Sequence, residues 1–281
     1  MRSEHTQRGF KALLIGIFVV GILLASREHA LQPDGKLHVH MLDVGQGDSI
    51  LLQSPSGKQV LVDGGPDHSV LESLGRLLPF FDRRIEFVIV THPEADHITG
   101  LSAVLRHYDV GAILLTGIDH SSMRYDAFLR SLLTRDIPLI SPDPIEDIDL
   151  GDGLIVDILW PSSKMLGSAV KNPNNTSIVL RALFGDTSIL LTGDIEEEAE
   201  MAILQRGDVV KANILKVPHH GSRTSSSTGF LLATKPSLAM ISVGKNNSYG
   251  HPHREVLSRY RDLGIDLKTT AENGLISLTF P

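Results

Sequence analysis

Short apolar runs alternate with stretches of helical spacing along nearly the whole chain, and the cycle is completed twice, which limits the fold more than any other feature. The runs Leu37–Leu42, Ser49–Gln53 and Gln59–Val62 are separated by Gly, Pro and Ser turn signals and read as a strand meander. Helical spacing follows at Ser69–Leu78. After it come an apolar strand of the buried kind at Phe87–Thr91, a helix at Ile98–Tyr108, a strand at Ala112–Leu115, a helix at Met123–Leu133 and a strand at Leu154–Trp160. The second half repeats the theme. Its strands are Ser177–Phe184, Ser188–Thr192, Ile214–Val217, Leu238–Val243, Asp266–Thr270 and Leu275–Thr279, and its helices are Glu196–Gln205, Gly229–Thr234 and Glu255–Leu263. Sheets bury their faces against helices, so two such halves imply a layered α/β protein with two sheets between helices. No linker composition interrupts residues 31–281, which read as one domain; Ser141–Asp147 and Pro161–Asn174 read as surface loops.

The N-terminus has a different character. Arg2, Arg8 and Lys11 precede an uncharged apolar run from Ala12 to Ala25, within the longer segment Phe10–Ala25. Fourteen residues are few for a spanning helix of about 20, yet normal for a signal-peptide core or a short signal anchor. Cleavage needs small residues at −3 and −1, and Leu occupies −3 near Ala25, which favours an uncleaved anchor. Residues 1–30 are therefore read as a cytoplasmic N-terminus and signal anchor or signal peptide. The positive flank stays in the cytoplasm, and the remainder is expected outside, anchored to the cytoplasmic membrane through residues 10–25 or secreted.

Cysteine is absent, which excludes disulfides, thiolate zinc sites and cysteine nucleophiles. Net charge is −7; leaving out the first 32 residues, with four bases and two acids, leaves 22 bases against 31 acids, or −9. Such a surface is a poor electrostatic grip for long nucleic acid. Thirteen histidines are more informative, because several gather with carboxylates. The strand Phe87–Thr91 runs into His92-Pro93-Glu94-Ala95-Asp96-His97, four potential ligands within six residues. Such a loop can aim His92 and Glu94 at one point and Asp96 and His97 at another, as a dinuclear site requires. Two further turns at strand ends, Thr192-Gly193-Asp194 and His219-His220-Gly221-Ser222, offer a bridging carboxylate and an imidazole. Solvated turn chemistry explains any one of these clusters, but not all three at successive strand ends.

These residues resemble a family. HxExDH from His92, LVDGG at Leu61–Gly65, LLTGD at Leu190–Asp194 and HHGS at His219–Ser222, in that order, look like the metallo-β-lactamase-fold hydrolases. The likeness is in particular to the hydrolase domain of ComEC-type competence (DNA uptake) proteins and their stand-alone relatives. Asp43-Val44-Gly45-Gln46-Gly47-Asp48, Ser242-Val243-Gly244 and Tyr249-Gly250-His251-Pro252 add to it, and it covers about residues 37–280. It implies a four-layer αββα sandwich and two divalent metal ions, Mn²⁺ or Zn²⁺. His92 and Glu94 would bind the first ion, Asp96 and His97 the second, and Asp194 would bridge. His220 is favoured to complete the second site while His219 faces substrate, and His251 is a rival for that ligand role. Asp63 would fix the metal loop from behind. The loop holding Asp43, Gln46 and Asp48 either borders the site or is a structural turn.

Two departures bear on the metal. The family's usual HxHxDH has Glu94 here in place of an imidazole, and a histidine expected before the strand Ser177–Phe184 is replaced by Asn174-Asn175-Thr176-Ser177. Harder ligands suit Mn²⁺ or Mg²⁺ better than a histidine-rich site does. The full uptake protein also carries a many-helix channel, whereas this chain has one hydrophobic segment, so a tethered or secreted hydrolase is expected.

Paired ions lower the pKa of water, and a hydroxide held between them and oriented by Asp96 is the expected nucleophile. His219 would serve the leaving group. Asn175, Ser222 and His251 would contact the substrate, and Lys216, Arg223 and Lys245 would help hold a nucleic acid. The leading expectation is an extracytoplasmic phosphodiesterase or nuclease acting on a phosphodiester such as single-stranded DNA, with no protein partner. An ester, lactone or β-lactam hydrolase is the alternative enzyme, and a membrane-tethered, non-catalytic metal-binding module the alternative to an enzyme.

Overall fold

The computed structural model describes residues 2–142, 147–167 and 170–281, without the side chains of residues 2–9, 12 and 164. Parts of the two expected surface loops, residues 143–146 and 168–169, lie outside the described residues.

The chain starts with α1 (Arg2–Ala30), whose window Leu13–Ala30 has a mean hydropathy of 1.7 and no buried residue. The expected meander forms as β1 (Leu37–Met41), β2 (Ile50–Gln53) and β3 (Gln59–Val62), each antiparallel to the next. It is followed by α2 (Ser69–Leu77), β4 (Arg84–Val90), α3 (Ala95–Ile98), α4 (Leu101–His107), β5 (Asp109–Leu115), α5 (Met123–Leu133) and β6 (Leu139–Ile140). The second half holds β7 (Ile148–Asp149), β8 (Ile155–Trp160), β9 (Val179–Phe184), β10 (Thr187–Leu191), α6 (Glu197–Arg206), β11 (Ile214–Lys216), α7 (Thr228–Thr234) and β12 (Leu238–Ile241). It ends with α8 (Arg254–Asp262), β13 (Asp266–Thr269), α9 (Thr270–Asn273) and β14 (Ile276–Phe280).

Among the described residues two seven-stranded sheets form, in the orders β14-β1-β2-β3-β4-β5-β6 and β13-β12-β11-β10-β9-β8-β7. Alternate side chains on each strand leave opposite faces, and here both faces are buried. Val39, Met41, Ile50, Val62 and Ile89 of the first sheet meet Leu180, Ile189, Leu191 and Met240 of the second in a central core. Leu51, Leu61, Val88 and Val90 point the other way, onto Val70, Leu74, Leu101 and Val104 of α2 and α4. Leu190, Leu215 and Ile241 pack on Ala199, Ile203, Phe230 and Tyr260 of α6, α7 and α8. The result is helix, sheet, sheet, helix: the four-layer αββα sandwich. Burial on both faces is why these strands read as continuous apolar runs.

Three features differ from the expected elements. The single helix at Ile98–Tyr108 is instead α3 and α4, interrupted at Thr99-Gly100. A Cβ at Gly100 would lie 1.9 Å from the Gly64 carbonyl oxygen, so only glycine lets this turn close on the Leu61–Gly65 turn. The backbone bonds Gly64 N–H to His97 O (2.7 Å) and Gly100 N–H to Gly65 O (3.0 Å) lock the two turns together. The strands β6 and β7 and the one-turn α9 are too short to show a period. Finally, β14 leaves the second half and pairs antiparallel with β1.

That last pairing buries His40, whose Nε2–H donates to Gln53 Oε1 (3.0 Å) while Nδ1 accepts from Ser277 Oγ (2.8 Å). Burial pushes its pKa from 6.5 down to about 4. Below pH 6.5 the unfolded chain takes a proton that the fold refuses, so stability is lost as pH falls from 6.5 toward about 4, by up to roughly 3 kcal/mol. Melting the metal-free chain across this window should show a flatter pH dependence for His40→Gln than for the native protein; parallel curves would clear His40 of that role.

Candidate metal centre

Neighbouring parallel strands deliver their C-terminal ends to one edge of a sheet. Here β3 leads to Asp63, β4 to Thr91–His97, β10 to Asp194, β11 to His219-His220 and β12 to Ser242, so both sheets open their loops at the same end of the sandwich.

Three buried imidazoles share one arrangement. His92 Nδ1 donates to Thr91 Oγ1 (2.9 Å), His97 Nδ1 to Asp63 Oδ2 (2.7 Å) and His220 Nδ1 to the Ser242 carbonyl (2.8 Å). Each leaves its buried Nε2 without a hydrogen-bond partner. Donating one ring nitrogen to an oxygen fixes the tautomer and frees the other lone pair, the arrangement expected of metal-ligating histidines. Asp63 is the hub: it also accepts Thr91 N–H on Oδ1 (2.9 Å) and Thr91 Oγ1–H on Oδ2 (2.6 Å). One fully buried carboxylate thus orients His97 directly and His92 through Thr91. Asp63, His219 and His220 all take left-handed φ angles (60°, 49° and 52°), strained for side-chain-bearing residues and held by these contacts.

Asp194 and Asp96 face the free nitrogens. Asp194 Oδ2 lies 3.1 Å from His220 Nε2 and 3.4 Å from His97 Nε2; Asp96 Oδ2 lies 3.5 Å and 3.9 Å from the same atoms. One donor atom from each of these four residues falls within 4.8 Å of the others. Burial would lower the His97 and His220 pKa values, but the carboxylates outweigh it. Asp194, Asp63 and Asp96 hold His97 well above its ordinary range, and Asp194 and Asp48 lift His220 to about 10. Asp194 is held well below the usual carboxylate range against its own burial, by His220, His97 and Lys216. Burial and the neighbouring His97 keep His92 neutral. The cluster therefore demands positive charge between its oxygens and imidazole nitrogens. A divalent ion meets that demand, so the donor set fits a metal.

The site opens into a cleft of about 170 Å³ lined by Glu94, Asp96, Asp194, His219, His220 and His251, with His92 and His97 buried beneath. Glu94 and His92 stand outside the group of four convergent donors. His219 is half-buried, with Nδ1 3.4 Å from Glu196 Oε1 and Nε2 4.0 Å from Asp194 Oδ2. The ring of His251 lies 5.6 Å from that of His219 and 6.4 Å from that of His220. Burial, followed by the histidines His220, His219 and His253, lowers its pKa to about 4.

Several expected contacts fall elsewhere. Asn175 does not line the cleft; its amide is spent on Glu196 N–H (2.9 Å) and Glu198 Oε2 (3.2 Å) at the start of α6, and Asn174 takes the place beside the metal loop. Ser222 Oγ turns to Thr224 Oγ1 (3.0 Å) inside its own loop. Lys216, expected to help hold nucleic acid, is fully buried: its Nζ lies 2.5 Å from Asp48 Oδ2, 2.7 Å from Gly193 O and 3.2 Å from Asp194 Oδ1. Asp48 is accordingly buried against the site rather than in a peripheral turn, with Oδ1 3.5 Å from His220 Nδ1. Gln46 lines the cleft, as does the exposed Tyr249, for which the sequence offers no ligand or catalytic signal.

Residues 42–245 match the family model described as the Metallo-beta-lactamase superfamily. The chain is 32% identical over 260 residues to ComE operon protein 3 of Bacillus subtilis (strain 168), a match covering 86% of this chain and 33% of that protein. It is 30% identical over 251 residues to Competence protein ComA of Neisseria gonorrhoeae, covering 87% and 32% respectively. The chain thus spans about a third of the length of these curated relatives. Among solved structures, the metallo-beta-lactamase fold protein YhfI from Bacillus subtilis superposes with a TM-score of 0.56 at 12% identity, covering 86% of this chain and 99% of that one. At that identity the likeness is one of fold. With the family match running from the end of the first strand past the last metal-facing turn, the chain belongs to the metallo-β-lactamase superfamily, and the curated relatives named here are ComEC-type competence proteins.

Proposed function

We propose that this superfamily member is an extracytoplasmic, metal-dependent phosphodiesterase that cleaves short single-stranded nucleic acid. The observation that carries the reading is the convergence of Asp96 and Asp194 with the partnerless imidazole nitrogens of His97 and His220 at the floor of an open cleft, with a third such nitrogen, on His92, buried beside them. Asp96, His97, Asp194 and His220 would hold one divalent ion, and His92, Glu94 and Asp194 a second. When bound, such ions supply Lewis acidity toward phosphoryl oxygens and make water a better nucleophile. Asp96, a third exposed, is the carboxylate that can reach an attacking water from the cleft side and orient it by accepting its hydrogen bond. His219, at the rim, is placed to protonate the leaving oxygen. Its pKa is lowered by burial, against the pull of Asp194, so it supplies that proton only after taking one up. Relatives named as competence proteins support a nucleic-acid substrate, and α1 with its basic flank supports placement outside the membrane.

The test is a reporter panel on the detergent-solubilised full chain reloaded with Mn²⁺. A generic phosphodiester and short single-stranded DNA should be hydrolysed and a β-lactam left intact. Lactone or β-lactam turnover without phosphodiester cleavage would reverse the assignment. The same preparation checks the metal preference: Glu94 supplies a hard oxygen, so Mn²⁺ should activate more than Zn²⁺ after chelation, and Glu94→His should move the preference toward Zn²⁺. Equal activation of both proteins by both ions would remove the ligand-hardness argument.

A further inference from the structure

We propose that Phe80 and Phe81 insert into the headgroup layer beside the foot of α1, seating the domain on the bilayer with its metal cleft facing away. The proposal rests on the reading of α1 as a membrane anchor. Phe80 and Phe81 are 61% and 87% exposed, in edge-to-face contact with ring centroids 5.1 Å apart. Two adjacent bare phenyl rings are a costly surface in water, and a lipid interface is the surface that fits them.

Their neighbours say which surface that is. Glu28 Oε2 accepts the Phe80 backbone N–H (2.7 Å), and Arg27 Nη2 donates to the Gly75 carbonyl (2.6 Å) at the C-terminal end of α2. Glu28 lies three residues beyond the last apolar residue of the run, Ala25, a rise of about 4.5 Å along a helix. The headgroup zone adds about 5–8 Å on each side of the hydrocarbon core, so a loop bonded to Glu28 lies inside it. The Arg83 guanidinium stands 5.5 Å from the ring centres of both Phe80 and Tyr108, at the level of lipid phosphates. The loop immediately precedes β4, whereas the metal loop immediately follows it. Seven strand residues span about 23 Å, so the two loops sit at opposite ends of β4, up to that far apart, and the cleft opens at the end away from the Phe80–Phe81 loop.

Single-tryptophan additions to the full chain in lipid nanodiscs test this, with the buried native Trp160 as a constant background. Phe81→Trp should lose emission to lipids brominated near the headgroup and be shielded from acrylamide. Val19→Trp, inside α1, should be quenched by lipids brominated deeper in the chains. Met123→Trp, at the metal end of α5, should respond to acrylamide alone. If Val19→Trp is lipid-quenched while Phe81→Trp is as open to acrylamide as Met123→Trp, the docking proposal is overturned and the anchor stands. If Val19→Trp escapes the brominated lipids, the anchor falls and the docking with it.

Discussion

Asp96→Asn is expected to lower phosphodiester hydrolysis by about 10²–10⁴-fold while leaving the melting temperature close to that of the native chain. The substitution keeps the size of the side chain but removes the charge that faces His97 and His220 across 3.9 Å and 3.5 Å. Asp96 is the most exposed of the four convergent donors and, unlike Asp194, has no ion pair with Lys216, so the fold loses little with it. Its pKa is held below the usual range against its burial, chiefly by His97, so it is ionised throughout the neutral range and offers a charged oxygen to orient a water rather than to keep a proton. The check is a rate measured at saturating Mn²⁺ beside a calorimetric count of bound ions. Native rates from Asp96→Asn would remove the residue from the chemistry, and a large drop in melting temperature would recast it as structural.

Lys216→Met should cost the metal-free protein about 3–5 kcal/mol, because it strands the buried carboxylates Asp48 and Asp194 without their cation. For a domain of this size that is a fall of about 6–20 °C in melting temperature. Asp48→Asn in the same background should recover part of the loss by removing one stranded charge. Added Mn²⁺ should recover another part, since the ion brings positive charge to the same oxygens. A melting temperature within about 2 °C of the native value, without metal, would show that the pair contributes nothing net.

Lys216 also marks where sequence reasoning stops. A lysine at a strand end reads as a solvated side chain, and only the approach of Asp48 from one sheet and Asp194 from the other reveals it as a buried cation. Asn174 and Asn175 differ for a local reason. They share a single 3-10 turn, Pro173–Thr176, too short for any period to say which amide faces the cleft. By contrast, the three ligand-bearing turns were legible because each follows an apolar strand long enough to recognise, and a strand's end fixes where its loop must emerge. The split of α3 from α4 was partly visible in Gly100. What glycine does there, however, depends on Gly64, which the chain brings up from 36 positions earlier.

The pairing of β14 with β1 bears on the order in which this molecule can assemble. His40 and Ser277 touch across 237 positions of sequence, so the first sheet keeps an open edge at β1 until β14 arrives. Closing so long a loop is slow, and contacts of such range delay the rate-limiting step of folding. The convergent donors can meet earlier, since His97 waits only on Asp194 and His220 from the other half. A chain released vectorially, N-terminus first, would therefore bring its four convergent donors together only once His220 has emerged, while the β1 edge of the first sheet stays open until β14 follows.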